Sequence, residues 1–339
     1  MTHPWFVWVS SVSDLQALQS KLANHLFNVS AEKVSLEPIE AGLSHHSFSC
    51  RIDEQRYFIK VYRPSVGVAV AVRQINQLTE YMCNRGIPAS RVCLYSPGVP
   101  NVVVHDFVEG EMHAGQKAQI GAIAGLYSSL ALLGAEHPQF LSKIEYLDGI
   151  HGVVEQMKLL ESEAIMDLSI HAGMQALGES ALALLHAGLG DEGLLHIHIH
   201  DDFTEKNILL KNDRVQLLCD WDSYRLKLLI EHFACCVARF STEKPLTGEI
   251  MQEKLKLFLR SLHPEYVRHI ADLESFASLF PVLATLKHLR TYMFRNLLVQ
   301  QNRVHLKTPQ LTWPLHHCRQ LLANRQEISN WVYQELKTY

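Results

Sequence analysis

The residues of this chain whose types and spacing suit a single reaction lie between His196 and Asp222. His200, Asp202 and Asn207 stand in the order His-x-Asp-x-x-x-x-Asn, and Asp220 follows after two short apolar runs. Phosphoryl transfer needs a carboxylate to take the proton of an attacking hydroxyl, and hard oxygen ligands for the Mg²⁺ that rides on the nucleotide phosphates. Asp202 has the type expected of the base, and Asn207 and Asp220 have the type expected of the metal ligands. The cofactors implied are ATP and Mg²⁺.

These side chains need elements to bring them together. Leu194 to Ile199 alternates apolar residues with histidine and reads as a strand, and residues 201–206 read as a loop. Ile208–Leu210 and Val215–Cys219 are two short β-type runs around the turn Lys211-Asn212-Asp213-Arg214. A hairpin there returns the chain to its start and predicts that Asp220 comes back beside Asp202 and Asn207.

Upstream, residues 34–62 read as three strands, Val34–Ile39, Phe48–Ile52 and Arg56–Tyr62, after a helix that begins at an N-cap Ser13 and runs to about Asn28. Lys60 sits inside the apolar run Tyr57-Phe58-Ile59-Lys60-Val61. A lysine there either faces water from an edge strand or needs an anionic partner, because burying an unpaired charge is costly. Nucleotide phosphates are such a partner. Val68–Arg85 reads as a helix closed by Gly86, and Val92–Tyr95 and Val102–Val108 read as two more strands. From Gly115 onward the pattern is mostly helical, with Ala118–Leu133, His151–Ala164, Met174–His186 and Phe280–Val299 as helices. Lys287, Arg290 and Arg295 read as a solvated basic face of the last of these.

The set His200, Asp202, Asn207 and Asp220, with the run Asp220-Trp221-Asp222, resembles the aminoglycoside phosphotransferase and choline kinase family. The resemblance implies an α+β, bilobal protein-kinase-like fold: a small antiparallel-sheet nucleotide-binding lobe over residues 1–109 and a larger, mainly helical lobe over 110–339. It further implies that Lys60 meets the α- and β-phosphates and that Gly42-Leu43-Ser44 covers them. His105 and Phe107 would then lie in the hinge that reads the adenine edge, and His200 would hold the catalytic loop. Glu231 stands where the family starts a helix with Asp. Two further positions depart from the pattern: Asp201 replaces a small residue, and the only acid on the Val68–Arg85 helix, Glu80, is late for the usual lysine partner.

Composition narrows the class. The chain has 339 residues, 47% of them hydrophobic, and a net charge of −4, so two lobes are expected and no basic footprint points to nucleic acid. Its seven cysteines show no C-x-x-C pairing, which fits reduced thiols and a cytoplasmic location. No membrane span is expected, since the apolar stretch Ala118–Ala135 is broken by glycines and serines and reads as a buried helix. His196, His198 and His200 alternate on one strand face, but no cysteine or further acid completes a zinc set apart from the catalytic acids.

A protein kinase is disfavoured: G-x-G-x-x-G, the Arg of H-R-D, and Asp-Phe-Gly are all missing. The expected partner is a small hydroxyl-bearing molecule. Asp201, Asp202, Asp222 and Glu231 make its surroundings acidic, and Trp221 and Tyr224 either offer ring faces to an ammonium group or pack in the core. The turn at Gly42 is similar to that of choline and thiamine kinases. The expected acceptor is therefore an amino- or ammonium-bearing alcohol of the choline, ethanolamine or thiamine type. The alternatives are a homoserine- or aminoglycoside-type kinase, or a nucleotide-binding pseudo-kinase.

Overall fold

The computed structural model describes residues 12–39, 46–62, 68–96, 101–112, 116–135, 196–242, 250–270, 272–300 and 308–339, with a few between 176 and 184. The turn at Gly42 and Ser44 and the expected helices over 151–164 and 174–186 lie outside the described residues, apart from those few. The chain forms two compact units, one from Met1–Glu111 with Gln216–Asp222, the other from Met112–Val215 with Ser223–Tyr339. A division at residue 109 would leave residues 216–222 with the second part; in the structure they belong to the first.

The first unit opens with α1 (Val12–Lys21), which continues as a π-helical turn over Leu22–Phe27 and stops where Asn28 enters the left-handed region at φ 52. Ser13 lies inside the first turn rather than capping it. Strands β1 (Val34–Ile39), β2 (His46–Ile52) and β3 (Gln55–Tyr62) follow, then α2 (Val68–Asn84), β4 (Val92–Ser96) and β5 (Asn101–Asp106). They make one antiparallel sheet in the order β1-β2-β3-β5-β4. Side chains alternate across it. Ile59, Val61, Val102 and Val104 join Leu18, Leu22 and Ala23 in a core on one face. Phe58, Lys60, Val103 and His105 alternate with them and face the other way. Residues 216–222 attach to this unit where the Leu218 N–H donates to the Pro88 carbonyl at 2.6 Å.

A two-residue strand, β6 (Glu111–Met112), lies where the chain leaves the first unit. The second unit begins with α3 (Lys117–Ala135) and contains β7 (His196–His200) and β8 (Ile208–Lys211). Asn212 and Asp213, both at positive φ, turn the chain into β9 (Arg214–Leu218), the backbone that a tight two-residue hairpin turn demands. β10 (Tyr224–Leu228) pairs antiparallel with β7, His200 opposite Tyr224. Among the described residues after β10, six helices follow: α4 (Leu229–Ser241), α5 (Gln252–Arg260), α6 (Pro264–Arg268), α7 (Leu273–Gln300), α8 (Thr308–Ala323) and α9 (Arg325–Leu336). The long α7 packs against α4, α8 and α9.

Helix α3 is long and apolar enough to cross a membrane by composition. In the fold it is a core helix: Ile120, Ile123, Ala124, Tyr127 and Leu130 are fully buried, and it packs on β7, α5 and α6. Gly134 lets it approach β7, because a Cβ there would run into the His198 carbonyl oxygen. Gly125, by contrast, has no atom within 4 Å of its notional Cβ. Gly134→Ala is expected to destabilise by about 1–3 kcal/mol, the range for overpacking, while Gly125→Ala should be neutral or stabilise by up to about 1 kcal/mol through helix propensity. Urea midpoints of the two variants check the contrast.

Candidate active site

In the second unit the catalytic-loop candidates are fixed from several sides. Phe203, next to Asp202, is 2% exposed and packs edge-on against Tyr127 of α3 at 5.7 Å and Phe240 of α4 at 5.8 Å. His200 is fully buried, and its carbonyl accepts from His232 Nε2–H at 3.0 Å. Burial pulls His232 down to about 3, so its ring is neutral near pH 7 and Nε2 carries a proton as donor. The Asp201 N–H donates to the Ser223 carbonyl at 3.0 Å. Asn207 closes the loop by donating from Nδ2 to both the backbone oxygen and Oδ2 of Asp202, each at 2.8 Å. Lys206 Nζ adds an ion pair to the same carboxylate oxygen at 3.1 Å. With its amide nitrogen turned to Asp202, Asn207 can meet a metal only through its side-chain oxygen, the hard donor Mg²⁺ takes.

In the first unit, Lys60 is 4% exposed and donates to Asp220 Oδ1 at 2.6 Å and to Asp222 Oδ2 at 2.9 Å. Burial alone lowers an ammonium's pKa; Tyr62, Asp222 and Asp220 outweigh it, and Lys60 is held above its usual value. Of these, the two carboxylates are the charges present near neutral pH. The Tyr62 hydroxyl donates to Asp222 at 2.9 and 3.0 Å. Asp220 adopts φ 67, a costly conformation for a residue with a Cβ and one that clusters at functional positions. Lys60, Tyr62, His105, Asp220 and Asp222 line one recess. His105 is lowered to about 4, first by burial and then by Lys60, and its Nδ1–H donates to the Arg91 carbonyl at 3.1 Å. Its side chain is thus a neutral wall of the recess. Phe107 lies just past β5, its ring under the Arg56 guanidinium at 3.8 Å.

The structure decides readings that the sequence leaves open and corrects that of Lys287. Trp221 is 2% exposed with Nε1–H donating to the Leu218 carbonyl at 2.8 Å, and Tyr224 is 4% exposed and stacked on His198. Both rings are core packing and present no open face to an ammonium group. Glu80 is exposed and accepts from Asn76 Nδ2 at 3.1 Å; Lys60 takes its acids from residues 220 and 222 instead. Lys287 is not part of a solvated face, since its ammonium lies 3.4 Å from Asp201. The side chains of Arg290 and Arg295 lie outside the described residues. Among the described residues no group of three His, Cys, Asp or Glu side chains is gathered to hold a metal ion, so the His-rich strand offers no zinc site there. Tyr62, Phe203 and Lys227 were not singled out from sequence. The alternation Tyr-Arg-Leu-Lys-Leu over β10 was the available signal for Lys227.

A profile of the phosphotransferase enzyme family matches residues 35–270. The chain belongs to that family. No curated protein matches this phosphotransferase in sequence. Solved structures of similar fold include choline kinase from Cryptosporidium parvum Iowa II, at TM-score 0.66 and 13% identity over 97% of this chain and 99% of that one. Spectinomycin phosphotransferase in complex with ADP and spectinomycin gives 0.63 and 12% over 94% and 98%. Amicoumacin kinase with AMP-PNP and Ca²⁺ gives 0.58 and 16% over 97% and 96%.

Asp201, beside Asp202, has a structural role in this phosphotransferase. Its carboxylate lies 3.5 Å from Lys227, 3.5 Å from Arg225 and 3.4 Å from Lys287, and Lys227 also reaches Glu231 in the first turn of α4 at 4.0 Å. Burial pushes the Asp201 carboxyl up, but Lys287, Lys227, His232 and Arg225 prevail and hold it well below the usual range. A depressed folded pKa contributes stability above the unfolded value and loses it as the pH falls. Asp201→Asn should therefore destabilise the protein at pH 7 by about 3–5 kcal/mol, since Lys227 is left buried without that charge. The difference from wild type should shrink as the pH drops below about 4. Urea titrations at pH 7 and at pH 3 to 4 check both parts.

Proposed function

We propose that this phosphotransferase moves the γ-phosphoryl group of ATP to a hydroxyl of a small metabolite, with Asp202 as base and Asn207 and Asp220 as ligands of Mg²⁺. The observation that carries the reading is the buried Lys60 ammonium against Asp220, 160 residues away in sequence, beside the recess of the first unit. A lysine and a carboxylate side by side suit a nucleotide's phosphates and the metal they bring. The nucleotide complexes of spectinomycin phosphotransferase and amicoumacin kinase support ATP as donor.

Each residue has a defined task. Asp202, with one oxygen held by Asn207 and Lys206, keeps a fixed orientation in which its carboxylate can accept the proton of the acceptor hydroxyl. Lys60 offers a fixed ammonium to phosphate oxygens. Bound through oxygen donors, Mg²⁺ would supply charge neutralisation of the phosphates. His105 and the segment at Phe107 would border the adenine.

The acceptor is proposed to be an amino- or ammonium-bearing alcohol such as choline, ethanolamine or thiamine, with homoserine and aminoglycosides as the alternatives. The likeness to choline kinase and the acids Asp202 and Glu231 support this class. The burial of Trp221 and Tyr224 and the neutralisation of Asp201 remove the aromatic and part of the electrostatic argument for it.

ADP release measured over a panel of amino alcohols, neutral sugars and hydroxy acids tests the substrate class; preference for an anionic or neutral acceptor overturns the amine reading. Asp202→Asn should lower kcat by roughly 10²–10⁴ with nucleotide affinity nearly unchanged. EDTA should abolish turnover, and Asp220→Ala should not recover it at any Mg²⁺ concentration. A wild-type rate for Asp202→Asn would remove Asp202 as the base.

A further inference from the structure

Helix α2 contains one acidic residue, Glu80, and that side chain is exposed and bonded to Asn76. In protein kinases an acid on the corresponding helix orients the strand lysine. Here the lysine has two acids, both from the short segment that follows β9. One carboxylate would neutralise it.

The two acids are not equivalent. Asp220, at φ 67, accepts from Lys60 through Oδ1 and is the acid proposed above as a metal ligand. Asp222 is held a second time, by the Tyr62 hydroxyl to both of its oxygens. Tyr62 lies two residues beyond Lys60 on β3, so the two side chains leave the same face of the sheet. The Tyr62 ring also lies 5.2 Å from the Lys60 ammonium, within the range of a cation–π contact. Trp221, buried between the two acids in sequence and pinned through Nε1 to Leu218, fixes the backbone from which both carboxylates project. If Asp220 is engaged by metal, as the proposed function has it, Lys60 keeps a carboxylate in place only through Asp222.

We propose that Asp222 is the positioning acid for Lys60, and that Tyr62 is the positioning residue for Asp222. The pair does from the strand and the Asp-Trp-Asp turn what a helix glutamate does in protein kinases. Asp222 is thereby moved from the acceptor side of the site to the nucleotide side. The inference rests on the ATP-phosphotransferase reading.

The test measures ADP binding by calorimetry, with and without Mg²⁺, together with KM for ATP and kcat on the best acceptor. Lys60→Ala is expected to weaken ADP binding by about tenfold or more, as loss of a charge-assisted contact does. Asp222→Asn should lose about tenfold and Tyr62→Phe about threefold to tenfold, both with and without Mg²⁺. The double variant should bind no worse than Asp222→Asn, because both act through one bond. Asp222→Glu should recover part of the loss, and Glu80→Gln should bind as wild type. Tyr62→Phe keeps the ring, so it reports on the bond even where Asp222→Asn folds poorly. Recovery of Asp222→Asn by high Mg²⁺ would make Asp222 a metal ligand and overturn the proposal, as would strict additivity or a defect in Glu80→Gln. If Lys60→Ala itself binds ADP normally, the nucleotide-site reading falls; if only Asp222→Asn and Tyr62→Phe bind normally, the positioning role alone falls.

Discussion

A lysine ammonium buried to 4% exposure between two carboxylates is the interaction on which the first unit's recess depends. Its desolvation would be prohibitive alone, and removing either carboxylate leaves the other to carry the charge. The sheet exists to present it: Ile59 and Val61 lock β3 into the apolar core on one face, which forces Lys60 onto the other. Register then does the rest, since a slip of one residue would place Lys60 among Leu18, Leu22 and Phe48.

The second unit solves a different problem, holding a loop still around Asp202, the carboxylate proposed as base. It uses unlike bonds on successive residues: a histidine donor to the His200 carbonyl, three cations on Asp201, an aromatic cluster on Phe203 and an amide on Asp202. A loop fastened residue by residue loses little entropy when a substrate arrives, and orientation of this kind is worth several kcal/mol in catalysis. It also has no need of a phosphorylated segment to assemble it, consistent with the absence of Arg before Asp202.

Much of this was legible in the chain. The strand runs, the position of Lys60 within one of them, the closure of α2 by Gly86 and the turn at Asn212-Asp213 follow from local patterns of period, glycine and turn residues. The membership of residues 216–222 in the first unit was not legible, because it is decided by the pairing of Leu218 with Pro88 and of Lys60 with Asp220, contacts between distant parts of the sequence. The same holds for Asp201. From sequence it was one of the acids around the acceptor, and only the approach of Lys227 and Lys287 shows it as part of a buried ion cluster. Trp221 and Tyr224 could be read either as ring faces or as core, and burial decides between those readings.

The detour of residues 216–222 has a consequence for biosynthesis. A chain made from its N-terminus completes β1–β5 long before Asp220 and Asp222 are translated. Until then the apolar face of the sheet can close over α1, but the other face carries a lysine whose counter-charges do not yet exist. The first unit thus reaches its final form only after most of the chain has been translated, through contacts of 160 and 162 residues' separation. Such long-range pairing is slow to form and leaves the lysine-bearing face of the nascent sheet exposed in the meantime.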